Sequence, residues 1–146
     1  MRWVVLILRI VIGAILIVAG ALKAGHGDLF AAQIAGFRIM PQPLIAPLAI
    51  ALPYLEILVG AYLVLGLFTR ITAWVAFAML ATFDLAIASA VVRGLHVSCG
   101  CFGPSDTTTT TWTEVARDAV FVLLAAIVAL RPPGALAVDR RIGIEP

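Results

Sequence analysis

The two cysteines of this chain, Cys99 and Cys101, stand one residue apart and are followed by Phe102 and Gly103. Thiols at this spacing can close a small disulfide ring if the backbone bends, and Gly100 between them supplies the conformational freedom for that bend. Small rings of this kind tend to be strained, and strained or exposed disulfides are the easily reduced, catalytic ones. The spacing therefore predicts a pair that exchanges disulfides.

Two other interpretations of the pair stay open. A disulfide that closes so short a loop adds little chain-entropy stabilisation, so a structural brace or an inert pair is the bland alternative. Two thiolates can also capture Hg(II) or Cu(I), whereas a zinc site needs more ligands than the pair and His96 offer, and we predict no metal site. As a cation three residues before Cys99, His96 would favour the thiolate there, or it is a loop histidine without a role. The sequence does not choose which cysteine attacks.

The rest of the chain has the composition of a membrane protein. Of its 146 residues, 63% are hydrophobic and only 12% are charged, and its mean hydropathy is +1.13. Four apolar segments each approach the ~20 residues with which a helix crosses hydrocarbon, where only a helix satisfies its own backbone groups. We therefore predict a single domain over residues 1–146, an all-α integral membrane four-helix bundle, with spans at about 3–22, 44–68, 71–92 and 112–130.

The connections between the spans place the cysteines in a loop. Residues 29–40 are too few to span, and they predict a short interfacial helix between the first two spans. The cysteines lie in an outer loop over residues 94–111, after which Thr111 and Glu114 have the spacing of a capping box. Gly60 and Gly66 are expected to be helix-packing contacts. Arg2 and the following apolar run have the outline of a signal peptide, but the run is long for one, and we expect it to be retained.

Charge indicates the orientation of the bundle. The net charge of +2 is too small to imply nucleic acid as a partner. With four spans both termini share one side, and that side carries most of the basic residues, which by the positive-inside rule makes it cytoplasmic: Arg2, Arg9, Arg70, Arg131, Arg140 and Arg141 against Lys23, Arg38 and Arg93. We therefore predict a multi-pass protein of the inner (plasma) membrane with cytoplasmic termini. Its cysteine loop would face the extracytoplasmic side, where disulfides persist.

Charged residues inside the spans form a second candidate site, because lipid makes each of them costly. At about 1.5 Å per residue, Glu56, Asp84 and Arg117 all lie roughly 18–20 Å from the inner face, with Asp118 next to Arg117. We expect Arg117 to pair with Glu56 or Asp84. Such a pair either holds the helices in register or forms a polar pocket that passes protons or anchors a quinone head group. Phe83 is expected in the core or against lipid.

Two segments of the sequence resemble a known family. Pro53-Tyr54-Leu55-Glu56 resembles the second span of the MauE/DoxX-like, redox-associated membrane proteins, and the C-G-C-F-G loop after Arg93-Gly94 is similar to that of the methylamine-utilisation MauE type. The likeness covers residues 13–130. It implies a four-helix membrane protein with Cys99 and Cys101 as redox pair, a thioredoxin-like partner and a link to quinone. Arg117-Asp118 departs from the Arg-Asn often found in the fourth span.

Together these features favour a membrane thiol–disulfide oxidoreductase or redox-maturation factor. Its outward-facing pair would exchange disulfides with an extracytoplasmic thioredoxin-like protein or client, with membrane quinone as the further electron acceptor. The partners expected are membrane lipid, that redox protein and subunits of a membrane complex. The alternatives are a non-catalytic accessory subunit of a larger membrane redox complex and a soft-metal carrier.

Overall fold

The computed structural model describes residues 2–99, 109–131, 137, 138 and 143. Five α-helices cover most of them, namely α1 (Arg2–Ala24), α2 (Gly27–Gly36), α3 (Gln42–Leu65), α4 (Thr69–Val92) and α5 (Trp112–Leu130). These described residues contain no β-strand, only an isolated bridge between Ser98 and Thr109. The prediction of an all-α protein is confirmed for this part of the chain.

Three helices are long and apolar enough to cross a membrane. They are α1, over its residues Trp3–Ala24, and the whole of α3 and of α4. The predicted fourth span coincides with α5, whose 19 residues rise about 28 Å. Glu114, Arg117 and Asp118 all fall within its first two turns, so its composition does not mark it as a span. The membrane character is therefore supported, while the four-span arrangement stays a prediction.

The long helices form two antiparallel pairs, because α1 packs mainly against α3 and α4 mainly against α5. Glycines bring the backbones of α1 and α3 together. A Cβ added to Gly60 would lie 2.6 Å from the carbonyl oxygen of Gly13, and one added to Gly20 would lie 2.5 Å from that of Pro53. The expectation that Gly60 is a packing contact is confirmed.

All four long helices meet tightly near the turn that joins α3 to α4, where Gly66 ends α3 with φ at +72°. Small side chains on α4 and α5 allow this close packing. The buried core here, which we call the closed half, consists of Ile12, Leu16, Val59, Leu63, Ala73, Ala76, Ala125, Val128 and Ala129.

At the opposite end the two helix pairs separate, and α2 lies across this open half. The helix packs against α3 and is fastened to the segment before Cys99, where Gln33 Nε2 donates a 2.9 Å hydrogen bond to Ser98 Oγ. Close contact continues at Gly36, where an added Cβ would lie 2.9 Å from Val97. The predicted short helix therefore exists, over Gly27–Gly36, and covers the bundle end that carries the cysteine loop.

Candidate functional site

A buried ion pair joins α1 to α3 in the open half. Lys23 Nζ donates hydrogen bonds to Glu56 Oε1 at 2.8 Å and to Oε2 at 3.1 Å, and the side chains are only 3% and 2% exposed. Both carboxylate oxygens of Glu56 are thereby satisfied by one cation. In a low-dielectric interior the stability of such a pair depends on these hydrogen bonds.

Lys23 lies one residue from the end of α1, yet its side chain turns into the bundle and away from the water. Cα–Cβ bonds tilt towards the N-terminus of a helix, and this tilt directs Lys23 back along α1 towards Glu56. Its Nζ lies 5.3 Å from the ring centroid of Phe30 and 5.2 Å from that of Phe83. The two rings add cation–π attraction to the ammonium group.

Cys99 is disulfide-bonded and 7% exposed, and Cys101 is the other cysteine of the sequence. Cys101 itself lies outside the described residues. Cys99 follows the short bridge between Ser98 and Thr109, which is reinforced by a 2.9 Å hydrogen bond from Thr110 N to the Val97 carbonyl. This closure fixes Cys99 at the base of the loop, against the helices.

The first turns of α5 bring a cation to the sulfur of Cys99. Arg117 Nη2 lies 4.0 Å from Cys99 Sγ, while the same guanidinium pairs with Glu114 and, at 3.2 Å, with Asp118. Arg117 is 35% exposed, so this cluster is far less buried than the Lys23–Glu56 pair. Asp84 on α4 lies near enough to Asp118 for the two charges to repel.

A cavity of about 730 Å³ connects these groups. Lys23, Glu56, Cys99 and Asp118 all belong to its lining. Most of the remaining lining is apolar and comes from all five helices, including Phe83 and Phe121. The site is therefore a largely apolar cavity whose lining includes a buried ion pair and the disulfide-bonded Cys99.

The sequence predicted the members of this site better than their pairing. Glu56 and Asp118 do line one cavity, with Asp84 beside Asp118. The predicted ion pair of Arg117 with Glu56 or Asp84 is replaced, among the described residues, by pairs of Arg117 with Glu114 and Asp118 on its own helix, while Glu56 bonds Lys23. Proximity explains the difference, because residues three apart on a helix are neighbours.

His96 is exposed, and its predicted effect on the thiol stays a prediction. The cation that the structure brings to Cys99 is Arg117.

Sequence reasoning missed two lining residues, Lys23 and Gln33. Lys23 was counted as a flanking charge of the first span because lysines at span ends usually reach for water. Glu56 is the signal in the sequence that could have indicated an inward-pointing Lys23, because an acid inside a span needs a cation partner. Phe83, for which the sequence predicts a place in the core or against lipid, borders the cavity with its ring beside Lys23.

Residues 1–131 match the family model described as "Methylamine utilisation protein MauE". The chain belongs to the MauE family. It is similar to methylamine utilization protein MauE of Paracoccus denitrificans, with 31% identity over 130 residues, or 88% of this chain and 70% of that protein. The MauE of Paracoccus versutus is 33% identical over 129 residues, which cover 88% of this chain and 69% of that protein.

The match to the MauE of Methylorubrum extorquens has 34% identity over 104 residues, which are 70% of this chain and 56% of that protein. This chain thus spans little more than half of that relative. No solved structure matches the chain. Membership of the MauE family confirms the resemblance to the MauE type and supports a membrane protein of that family.

Proposed function

We propose that this MauE-family protein is a membrane thiol–disulfide oxidoreductase that matures an extracytoplasmic redox protein of methylamine utilisation. Cys99 and Cys101 are its redox pair, and a thioredoxin-like protein or the client itself is its partner. The observation that carries the proposal is the position of Cys99, disulfide-bonded at the bundle end beside the Arg117 guanidinium and open to the cavity.

The proposed topology has four spans, with α5 as the fourth, and places both termini in the cytoplasm and the cysteine loop outside the inner membrane. The antiparallel packing of α5 on α4 and its length of about 28 Å support a fourth crossing. The burial of Lys23 also removes one cation from the outer flank, because its side chain faces Glu56 and not water. Arg9, which is counted at the cytoplasmic end, is equally buried, so the excess of three basic residues at that end is unchanged.

The burial of Cys99 suggests that the sulfurs of Cys99 and Cys101 have different roles in the exchange. At 7% exposure, Cys99 is shielded from a second protein. We therefore infer that a partner thiolate attacks the sulfur of Cys101, which breaks the S–S bond and releases Cys99 as a thiolate. The Arg117 guanidinium stands close enough to stabilise that leaving thiolate. A second partner thiol then displaces Cys101, so the partner loses two electrons and two protons and the pair gains them.

Single cysteine variants test this exchange. In Cys99→Ser the exchange can run only in reverse, with the Cys101 thiolate attacking the disulfide of the oxidised partner. The Cys99 thiol that would then displace the partner is missing, so a mixed disulfide through Cys101 should accumulate. Membranes are acid-quenched, alkylated and run on non-reducing gels, and the adduct is identified by mass spectrometry. The expected product is a covalent complex with a protein that carries a redox-active cysteine pair.

The matched control is Cys101→Ser, which leaves only the shielded Cys99 and should yield much less adduct. The double serine variant should yield none. If neither single variant traps a partner, and methylamine-dependent growth survives in the double variant, the accessory-subunit alternative is favoured instead.

A further inference from the structure

The cavity beside Cys99 opens towards apolar surroundings. Ile39, Met40 and Leu85 belong to its lining and are also exposed on the surface of the bundle. Leu85 lies within α4, one of the helices that are apolar enough to span. In the proposed orientation this opening faces lipid, so a ligand that enters here must be lipophilic. The volume of about 730 Å³ is within the range of ligand sites, about 300–1,000 Å³.

The charges in the cavity wall favour a neutral ligand. Lys23 is neutralised by Glu56 at 2.8 Å, and Asp118 adds a further carboxylate to the lining. Asp118 is itself paired with Arg117 at 3.2 Å, so these four groups carry no net formal charge, and a neutral head group fits them better than a phosphate or another anion. A lipid phosphate is therefore a poor occupant, because it would meet a cation whose charge is already matched.

Two polar atoms at the cavity wall have hydrogen-bonding capacity for a ligand. Lys23 Nζ has three donors, of which Glu56 takes two. Gln33 Oε1 is buried, and no described residue donates a hydrogen bond to it. A buried carbonyl oxygen without a donor is costly, so an atom that donates to Gln33 would be stabilised there. The wall thus offers a donor for a ring carbonyl and an acceptor for a ring hydroxyl.

We infer that this cavity is a binding site for a lipophilic quinone and its quinol. Lys23 donates to a ring oxygen, Gln33 Oε1 accepts from the hydroxyl that forms on reduction, and Cys99 belongs to the lining of the same cavity. The inference rests on the proposed exchange at Cys99 and Cys101, because that exchange leaves a dithiol that must be reoxidised. The pair gives up two electrons and two protons as its S–S bond forms. The quinone takes up both electrons and both protons and leaves as the quinol, so the reaction balances.

Photolabelling tests the site without relying on activity. The purified full-length protein in detergent is irradiated with an azido derivative of ubiquinone, and labelled peptides are mapped by mass spectrometry. We expect labels on cavity-lining positions of α1, α3 and α4, around Lys23, Glu56 and Phe83. Excess ubiquinone-1 should compete for these labels. Labels spread along lipid-facing surfaces and insensitive to ubiquinone-1 would overturn the inference and indicate a site filled by lipid or detergent.

A cavity-filling substitution sharpens the test. Ala86 lines the cavity, so Ala86→Phe should weaken competition by ubiquinone-1 about tenfold or more. The matched control is Ala51→Phe, which places the same ring at an exposed position of α3 outside the lining. Equal competition in Ala86→Phe and wild type would contradict the site. If Ala86→Phe does not fold, the label map of the wild-type protein still decides.

A second measurement separates this inference from the proposed function. The reduced protein is mixed anaerobically with ubiquinone-1, and disulfide formation is followed by alkylation with a mass-adding maleimide. Reoxidation that slows about tenfold in Ala86→Phe supports the site. If the partner adduct forms in Cys99→Ser but no cavity label appears, the quinone site is wrong and the exchange stands. If the cavity is labelled but no adduct forms, the exchange is wrong.

Discussion

In the closed half of the bundle the two helix pairs pack against each other, whereas in the open half they stand apart around about 730 Å³, although α1 and α3 remain in close contact there at Gly20. Residue size explains much of this contrast. Alanines such as Ala73 and Ala125 belong to the buried core of the closed half, while Phe83 and Phe121 line the cavity of the open half. The closed half therefore supplies the packing that lets the other half remain hollow.

The open half contains two kinds of charged cluster, and their burial differs sharply. Lys23 and Glu56 bridge two helices and are almost fully buried, whereas Arg117 is 35% exposed and pairs within its own helix. A fully buried pair that bridges helices is costly to break, while a cluster whose cation is partly exposed costs less to rearrange. The first therefore shapes the cavity, and the second is suited to respond to the charge of Cys99.

The largest effect is expected from breaking the buried pair. Lys23→Met leaves the Glu56 carboxylate buried without its cation and should destabilise the protein by about 3–5 kcal/mol. Replacing both residues, as Lys23→Met with Glu56→Leu, removes the charge altogether and should restore most of that stability. Thermal unfolding of the detergent-purified variants measures both. A single variant as stable as wild type would show that the pair is not the anchor of the open half.

A slightly smaller effect is expected in the closed half. Gly60→Ala places a Cβ 2.6 Å from the Gly13 carbonyl oxygen, so α1 and α3 must separate, at a cost of about 1–3 kcal/mol. Gly25→Ala is the matched control, because no heavy atom lies within 4 Å of a Cβ added there. The same unfolding measurement applies. Equal stability of the two variants would mean that close approach of α1 and α3 contributes nothing.

Hydropathy was sufficient to find the long helices, and residue type was sufficient to find the cysteine loop and Glu56. Pairing was harder, because it depends on side-chain direction. The position of Lys23 at the end of α1 is that of a flanking charge and does not reveal that its side chain points inward. Arg117 was assigned to a distant acid although Glu114 stands three residues before it on the same helix.

The predicted capping box of Thr111 and Glu114 likewise depends on side-chain direction. Thr111 is the N-cap of α5 as predicted, but its side chain makes no capping hydrogen bond, and Glu114 pairs with Arg117. The sequence indicated a pocket at the charged layer as one alternative, but neither its size nor its largely apolar lining, because these depend on how far two helix pairs separate. That separation follows from the full set of contacts across the bundle and not from any one motif.

Changes in the cluster of Arg117, Glu114 and Asp118 are expected to affect the reactivity of Cys99 more than the stability of the protein. With Cys101→Ser as background, Arg117→Gln should slow the reaction of Cys99 with iodoacetamide up to about tenfold, because the guanidinium that favours the thiolate is lost. Glu114→Gln on the same background removes a carboxylate that neutralises Arg117, and the reaction should keep its rate or accelerate. Equal slowing in both variants would indicate a change in access to Cys99 instead of a charge effect.

The smallest effect is expected from removing the hydrogen bond that ties α2 to the segment before Cys99. Ser98→Ala removes the acceptor of the 2.9 Å hydrogen bond from Gln33, a loss of about 0.5–1.5 kcal/mol that should be felt locally. Amide hydrogen exchange in α2 should therefore accelerate while exchange around Ala73 and Ala125 stays as in wild type. Thr113→Ala, at an exposed position of α5, is the control and should change neither. Unchanged exchange in α2 would mean that its packing on α3 alone holds it, and that α2 covers the cavity independently of the cysteine loop.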